Sequence, residues 1–174
     1  ERQIFIEDLD FFPSQVKVTG FARFDALFEG EPKVQRRLLV MPTWRDWLAS
    51  RGYDPEEVLC SSALRTRQTW DCVAQAVFET RPDLRIEPAL YQAAPETMLR
   101  VLKTATASTV MMIGHNPGIA AFAAMLPARP PLDPQFRSYP TAATLVVDFQ
   151  ADSWAEVEPG QGSLRDFVRL DGRG

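Results

Sequence analysis

The chain has 174 residues, 45% of them hydrophobic, which is enough to bury one core and favours one domain or one domain with a small appendage. A net charge of -4 gives no bulk attraction to nucleic acid or anionic lipid, so any phosphate site must be a local basic pocket. With two cysteines in no metal or disulfide spacing, no long apolar run and no signal-peptide start, we expect a reduced, cytoplasmic protein without metal, cofactor or membrane.

Hydrophobic patterning predicts strands that alternate with helices. In chain order, the predicted elements are strand 36–41, helix 43–51, strand 57–60, helix 63–78, strand 85–88, helix 95–103, strand 109–113, helix 118–126, strand 144–149 and strand 166–170. The strand over 109–113 is the strongest, because it is apolar on both faces as a central parallel strand should be. On the helix over 63–78, we expect the inward face to consist of Leu64, Thr69, Cys72, Val73, Ala76 and Val77. This alternation predicts an α/β fold with a largely parallel sheet.

The first residues of the chain differ in character from the rest. Residues 1–35 hold six of the eleven phenylalanines and show no strand–helix rhythm. We therefore divide the chain into an N-terminal extension over 1–35 and an α/β domain over 36–174.

Two polar turns follow predicted strands, and ligands bind at the carboxyl ends of strands in such sheets. The first turn contains Ser61 and Ser62 and leads into Arg65 in the first turn of a helix. Hydroxyls, free backbone N–H groups and a planar guanidinium all suit a phosphate. Ser62 could equally be only an N-cap with Arg65 in solvent, and the spacing leaves both interpretations open.

The second turn contains His115, which is the single histidine of the chain and follows the strongest predicted strand. An imidazole there could donate a proton to a phosphoryl oxygen or to a leaving group. It could equally be hydrogen-bonded within its own turn. If the two strands are neighbours, Ser62, Arg65 and His115 converge on one pocket.

Five segments, in order and with matching spacing, resemble the SixA-like phosphohistidine phosphatases of the histidine phosphatase superfamily: LCSSALRTRQT, ALYQAAPE, MMIGHNPGI, YPTAAT and GSLRDFVR. The resemblance covers about residues 48–174 and implies a three-layer α/β/α domain. It maps the family's second arginine to Arg65 and its second histidine to His115, which clamp the phosphoryl oxygens during catalysis. It also implies a phosphorylated protein or a small phosphomonoester as the partner.

The nucleophile of that family is missing. In the family, a histidine that directly follows an arginine after the first strand attacks phosphorus, and no Arg-His pair occurs here. The strand over 36–41 runs instead into Pro42 and Thr43, so the first strand and its catalytic loop are altered. Thr43 would need His115 as its base, which would remove His115 from the phosphate. We therefore expect an impaired phosphatase or, alternatively, a catalytically inactive module that binds phosphate or protein.

The N-terminal segment has a resemblance of its own. PSQVKVTGFARFDAL followed by RRLLVMPTWRDWL is similar to the CDP-glycerol glycerophosphotransferases over residues 1–47. The two resemblances meet near residue 48, as expected of a fusion, and a transferase fragment is a third interpretation of the chain. The alternative is a divergent phosphatase whose N-terminus matches by chance.

Overall fold

A six-stranded mixed sheet lies at the centre of the computed structural model, which describes residues 35–40, 51–77, 82–140 and 143–168. The strands are β1 (Gln35–Val40), β2 (Glu57–Ser61), β3 (Asp83–Glu87), β4 (Thr109–Ile113), β5 (Thr144–Gln150) and β6 (Ser163–Val168). The helices are α1 (Leu64–Val77), α2 (Pro95–Leu102) and α3 (Gly118–Met125). The extension over 1–35, apart from its last residue, and most of the helix predicted over 43–51 lie outside the described residues.

The strand order is β3-β2-β4-β1-β5-β6. Strands β3, β2, β4 and β1 run parallel, and β5 and β6 pair antiparallel beyond them. The predicted α/β fold with a mostly parallel sheet is therefore confirmed. Because β2 and β4 are direct neighbours, with Cys60 opposite Ile113, the two polar turns that follow them begin at the same edge of the sheet.

Helices cover both faces of the sheet, as the three-layer prediction requires. On one face, the buried side chains of Leu59 and Met112 share a core with Met98 of α2 and Phe122 of α3. On the other face, side chains of β2 and β4 pack with Trp70 and Val73 of α1. Strand β1 is interior to the sheet, and apolar residues are needed there because both faces are covered.

The predicted inward face of α1 is confirmed at Val73, which is buried, and is wrong at two other positions. Leu64 is 63% exposed, and Cys72 is exposed as well. The buried positions are Thr66, Trp70 and Val73, which follow the i, i+4, i+7 spacing of one helix face. The prediction is wrong at Leu64 and Cys72, and it passed over Thr66, whose hydroxyl finds backbone acceptors inside the fold.

The start of α3 lies against the loop that follows β3. A Cβ atom at Gly118 would collide with the backbone carbonyl of Ala93 and would crowd the side chain of Met98. Glycine is therefore required by space at this position. The close approach places the loop before α3, which contains His115, beside the loop after β3.

The loop that enters β4 is held by buried polar groups. Oε1 of Glu57 accepts a hydrogen bond from Nη1 of Arg85 at 2.6 Å, and Oε2 accepts from the backbone N–H groups of Thr106 at 2.9 Å and Ala107 at 3.2 Å. Burial alone would raise the pKa of Glu57, but these donors together hold it below its ordinary value. The indole of Trp154 donates to the carbonyl of Ala107 at 2.6 Å. These bonds fix where β4 begins, and therefore where it ends.

Candidate functional site

Three side chains meet at the carboxyl ends of β2 and β4. Nε of Arg65 lies 2.9 Å from Nδ1 of His115, and Oγ of Ser61 lies 2.7 Å from Nε2 of the same ring. Ser61 is the last residue of β2, Arg65 lies in the first turn of α1, and His115 is the second residue after β4. The predicted convergence of Arg65 and His115 is therefore present in the structure.

The environment of His115 favours a neutral imidazole. The ring is only 3% exposed, and both burial and the nearby Arg65 guanidinium lower the pKa of His115. The ring of Tyr91 meets the imidazole edge-on with 5.7 Å between the ring centroids. Tyr91 is itself 56% exposed, so its ring covers part of His115 on the side of the surface.

The loop that contains His115 is tied to the end of β1. Nδ2 of Asn116 donates to the backbone carbonyl of Tyr139 at 2.9 Å. The buried hydroxyl of Tyr139 donates to the carbonyl of Val40, the last residue of β1, at 3.2 Å. Two hydrogen bonds therefore link the ends of β4 and β1, where the resemblance expects one active site.

Arg65 is the cation of this site that a ligand can reach. Its side chain is exposed, whereas His115 and Ser61 are buried beneath it. A guanidinium offers five N–H donors in a planar fork, so an oxyanion has donors available besides the Nε–H that contacts His115 in the free protein. The arrangement can therefore hold an anion such as phosphate. Among the described residues, no group of three or more histidine, cysteine, aspartate or glutamate side chains could hold a metal ion.

The other predicted site residue is Ser62, which is half-buried in the turn between β2 and α1. The serine that contacts His115 is its neighbour Ser61, which we did not single out because the strand was predicted to end at Cys60. Tyr91 was also missed, although it lies in the ALYQAAPE segment. Pro42 and Thr43, where the family nucleophile was sought, lie outside the described residues.

The fold is histidine phosphatase-like. A Nakamurella multipartitia protein assigned as the phosphohistidine phosphatase SixA has a TM-score of 0.62 at 21% identity over 79% of this chain and 98% of its own. The corresponding Agrobacterium tumefaciens protein has a TM-score of 0.58 at 22% identity over 78% and 99%. The protein histidine phosphatase SixA complexed with tungstate has a TM-score of 0.53 at 18% identity over 76% and 96%.

The chain is also similar in sequence to two uncharacterized proteins. No family model matches the chain. The Mycobacterium tuberculosis proteins MT1313 and Rv1276c are each 30% identical to it over 128 residues, which is 70% of this chain and 77% of each relative. The chain belongs to the family that these two proteins represent, and its fold is that of the solved SixA structures. None of the described helices is long and apolar enough to cross a membrane.

Proposed function

We propose that this protein binds the phosphoryl group of a phosphohistidine or a phosphomonoester, and that it is a cytoplasmic phosphatase impaired by the loss of its nucleophile. The observation that carries the proposal is the 2.9 Å contact between Nε of Arg65 and Nδ1 of His115 at the carboxyl edge of the sheet. Ser62, beside them at the start of α1, is the third proposed phosphate ligand. The substrate is a phosphorylated protein or a small phosphomonoester.

The charges at the site support an oxyanion ligand. Arg65 is exposed on the ligand side, and a protonated His115 would add a second positive donor once an anion shares the guanidinium. The solved SixA structure with tungstate makes that tetrahedral oxyanion a suitable probe for the equivalent site in this chain. The charge that develops on a transferred phosphoryl group is stabilised by donors of this kind.

The chemistry of the available side chains supports impaired hydrolysis. The chain has one histidine, and it follows β4 rather than β1. Loss of a covalent nucleophile removes several powers of ten in rate and leaves what electrostatic stabilisation supplies. The same observation favours the second candidate, a catalytically inactive module that binds phosphate or protein. No described residue favours the third interpretation, a glycerophosphotransferase fragment.

One experiment separates the first two candidates. Hydrolysis of para-nitrophenyl phosphate and of a phosphohistidine protein would be measured for the wild type and His115→Ala. Turnover that the substitution abolishes would support an impaired phosphatase. No turnover, together with retained tungstate binding by calorimetry, would support the inactive module.

The same calorimetry tests the phosphate site itself. We expect Arg65→Gln to weaken tungstate binding by about tenfold or more, because a charge-assisted hydrogen bond contributes about 1.5–3 kcal/mol. Arg67→Gln is the matched control, since Arg67 is an exposed arginine on the same helix and makes no described contact with His115. Equal affinities in both variants, or no binding by the wild type, would contradict the proposed site.

A further inference from the structure

The hydrogen bonds of His115 define its tautomer. A guanidinium only donates, so the 2.9 Å contact with Nε of Arg65 requires Nδ1 of His115 to be an acceptor. A neutral imidazole carries one proton, which must therefore lie on Nε2. It follows that Nε2–H donates and that the hydroxyl oxygen of Ser61, at 2.7 Å, accepts.

This direction excludes Ser61 as a nucleophile activated by His115. A general base would need the lone pair of Nε2, and that nitrogen holds a proton. Ser61 is also fully buried, so a phosphoryl group could not reach its hydroxyl without opening the site. The contact must have another use.

The backbone around Ser61 is fixed firmly enough to orient a partner. The residue closes β2, where it pairs with Glu87 of β3. Its carbonyl accepts a hydrogen bond from the buried hydroxyl of Thr66 at 2.8 Å, and the same hydroxyl contacts the carbonyl of Ala63 at 2.8 Å. Ser61 is therefore a rigid acceptor beneath the imidazole.

We propose that Ser61 is a positioning residue for His115. The Ser61 hydroxyl holds the Nε2 proton on the buried side of the imidazole and leaves Nδ1 as the nitrogen that faces a bound anion. When an oxyanion accepts the hydrogen bond from Nε–H of Arg65, Nδ1 of His115 no longer has a donor. Nδ1 can then donate to the oxyanion only if it is protonated. Because Ser61 keeps the proton on Nε2, the imidazole that binds the anion is the cation. The part of the proposal that concerns the anion rests on the proposed function, whereas the tautomer does not.

Because the chain has one histidine, nitrogen-15 NMR of the imidazole reports on this ring alone. In the wild type without ligand at neutral pH, we expect the tautomer with the proton on Nε2, and a proton on Nδ1 instead would overturn the proposal without any variant. With tungstate, we expect both nitrogens to become protonated. Failure of tungstate to bind would count against the proposed function, while the imidazole signals of the free Ser61→Ala protein would still decide the role of Ser61.

The variant Ser61→Ala removes the acceptor. We expect the slowly exchanging Nε2 proton signal to be lost and tungstate affinity to fall about tenfold, the effect of one hydrogen bond to a charged group. The control is Ser108→Ala, at the opposite end of β4, which should change neither quantity. An Ser61→Ala protein that stays folded and keeps the wild-type imidazole signals would overturn the proposal, as would equal losses in the control.

Discussion

Replacing Glu57 by glutamine should destabilise the domain far more than the same change at its neighbour Glu56. Glutamine keeps the shape of the side chain and one carbonyl oxygen, which can still accept from Arg85. Its NH₂ group, however, would face the backbone N–H groups of Thr106 and Ala107, which now bond to one carboxylate oxygen. Two donors would lose their acceptor, and the bond from Arg85 would lose its ionic partner.

The size of the effect follows from these contacts. A buried donor without an acceptor costs about 1–3 kcal/mol, and the lower value applies here because both bonds are only partly buried. Weakening the charge-assisted bond from Arg85 adds about 1 kcal/mol. We therefore expect Glu57→Gln to lower the free energy of unfolding by about 3 kcal/mol, or the melting temperature by roughly 6–12 °C.

The effect should depend on pH in one direction. The pKa of Glu57 is lowered in the folded state, so its stabilisation is complete above the ordinary glutamate value of about 4.3. The stabilisation is lost as the pH falls through the lower folded pKa. The gap in stability between wild type and Glu57→Gln should therefore be constant from pH 7 to pH 5 and should shrink below about pH 4.

Urea unfolding at a series of pH values measures both quantities. The control Glu56→Gln removes a carboxylate that accepts from the N–H groups of Ser108 at 2.8 Å and Thr109 at 3.3 Å, but this residue is exposed and water can replace it. We expect that control to cost less than about 1 kcal/mol. Equal losses in the two variants, or a gap that stays wide at pH 3, would refute the reasoning.

Three further changes test other parts of the fold. A thiol reagent should modify Cys72 quickly and Cys60 only after denaturation, because Cys60 is buried and burial raises its pKa to about 11. Fast reaction of both thiols in the native protein would contradict this. Gly118→Ala should lower the free energy of unfolding by about 1–3 kcal/mol, since the added methyl group would meet a backbone carbonyl. The control Ala121→Ser, on the exposed face of α3, should be nearly neutral in the same urea titration. Tyr139→Phe should cost about 1 kcal/mol through the lost bond to the end of β1, and an unchanged urea midpoint would show that this bond contributes nothing.

The sequence was sufficient to place the two turns of the site. Strands β2 and β4 are short runs of buried apolar residues, and each is followed at once by polar residues and a helix. Neighbouring parallel strands end at one edge, so Arg65 approaches His115 once β2 and β4 are neighbours, an adjacency that the sequence analysis assumed and the sheet shows. The division of the chain at residue 35 and the N-terminal resemblance stay predictions.

Which serine contacts His115 depends on where β2 ends. We predicted the end at Cys60, and β2 ends at Ser61. All five residues of β2 are buried, so the alternation of polar and apolar side chains that would reveal its end is absent. Extending the strand to Ser61 puts that side chain two residues after Leu59, on the same face of the sheet. Tyr91 was not predictable in this way, because it follows a short 3-10 helix whose direction depends on tertiary contacts.

The hydrogen bonds to the loop that leads into β4 determine where a peptide can be inserted into the chain without disrupting the domain. The amides and carbonyls of Thr106 and Ala107 are engaged by Glu57, Arg36 and Trp154, so an inserted peptide would break several bonds together. Leu132, by contrast, is fully exposed, and its neighbours Pro131 and Asp133 are only half-buried. A fluorescent reporter or an affinity tag spliced between residues 131 and 132 should therefore leave the domain intact, whereas one spliced at residue 106 should not.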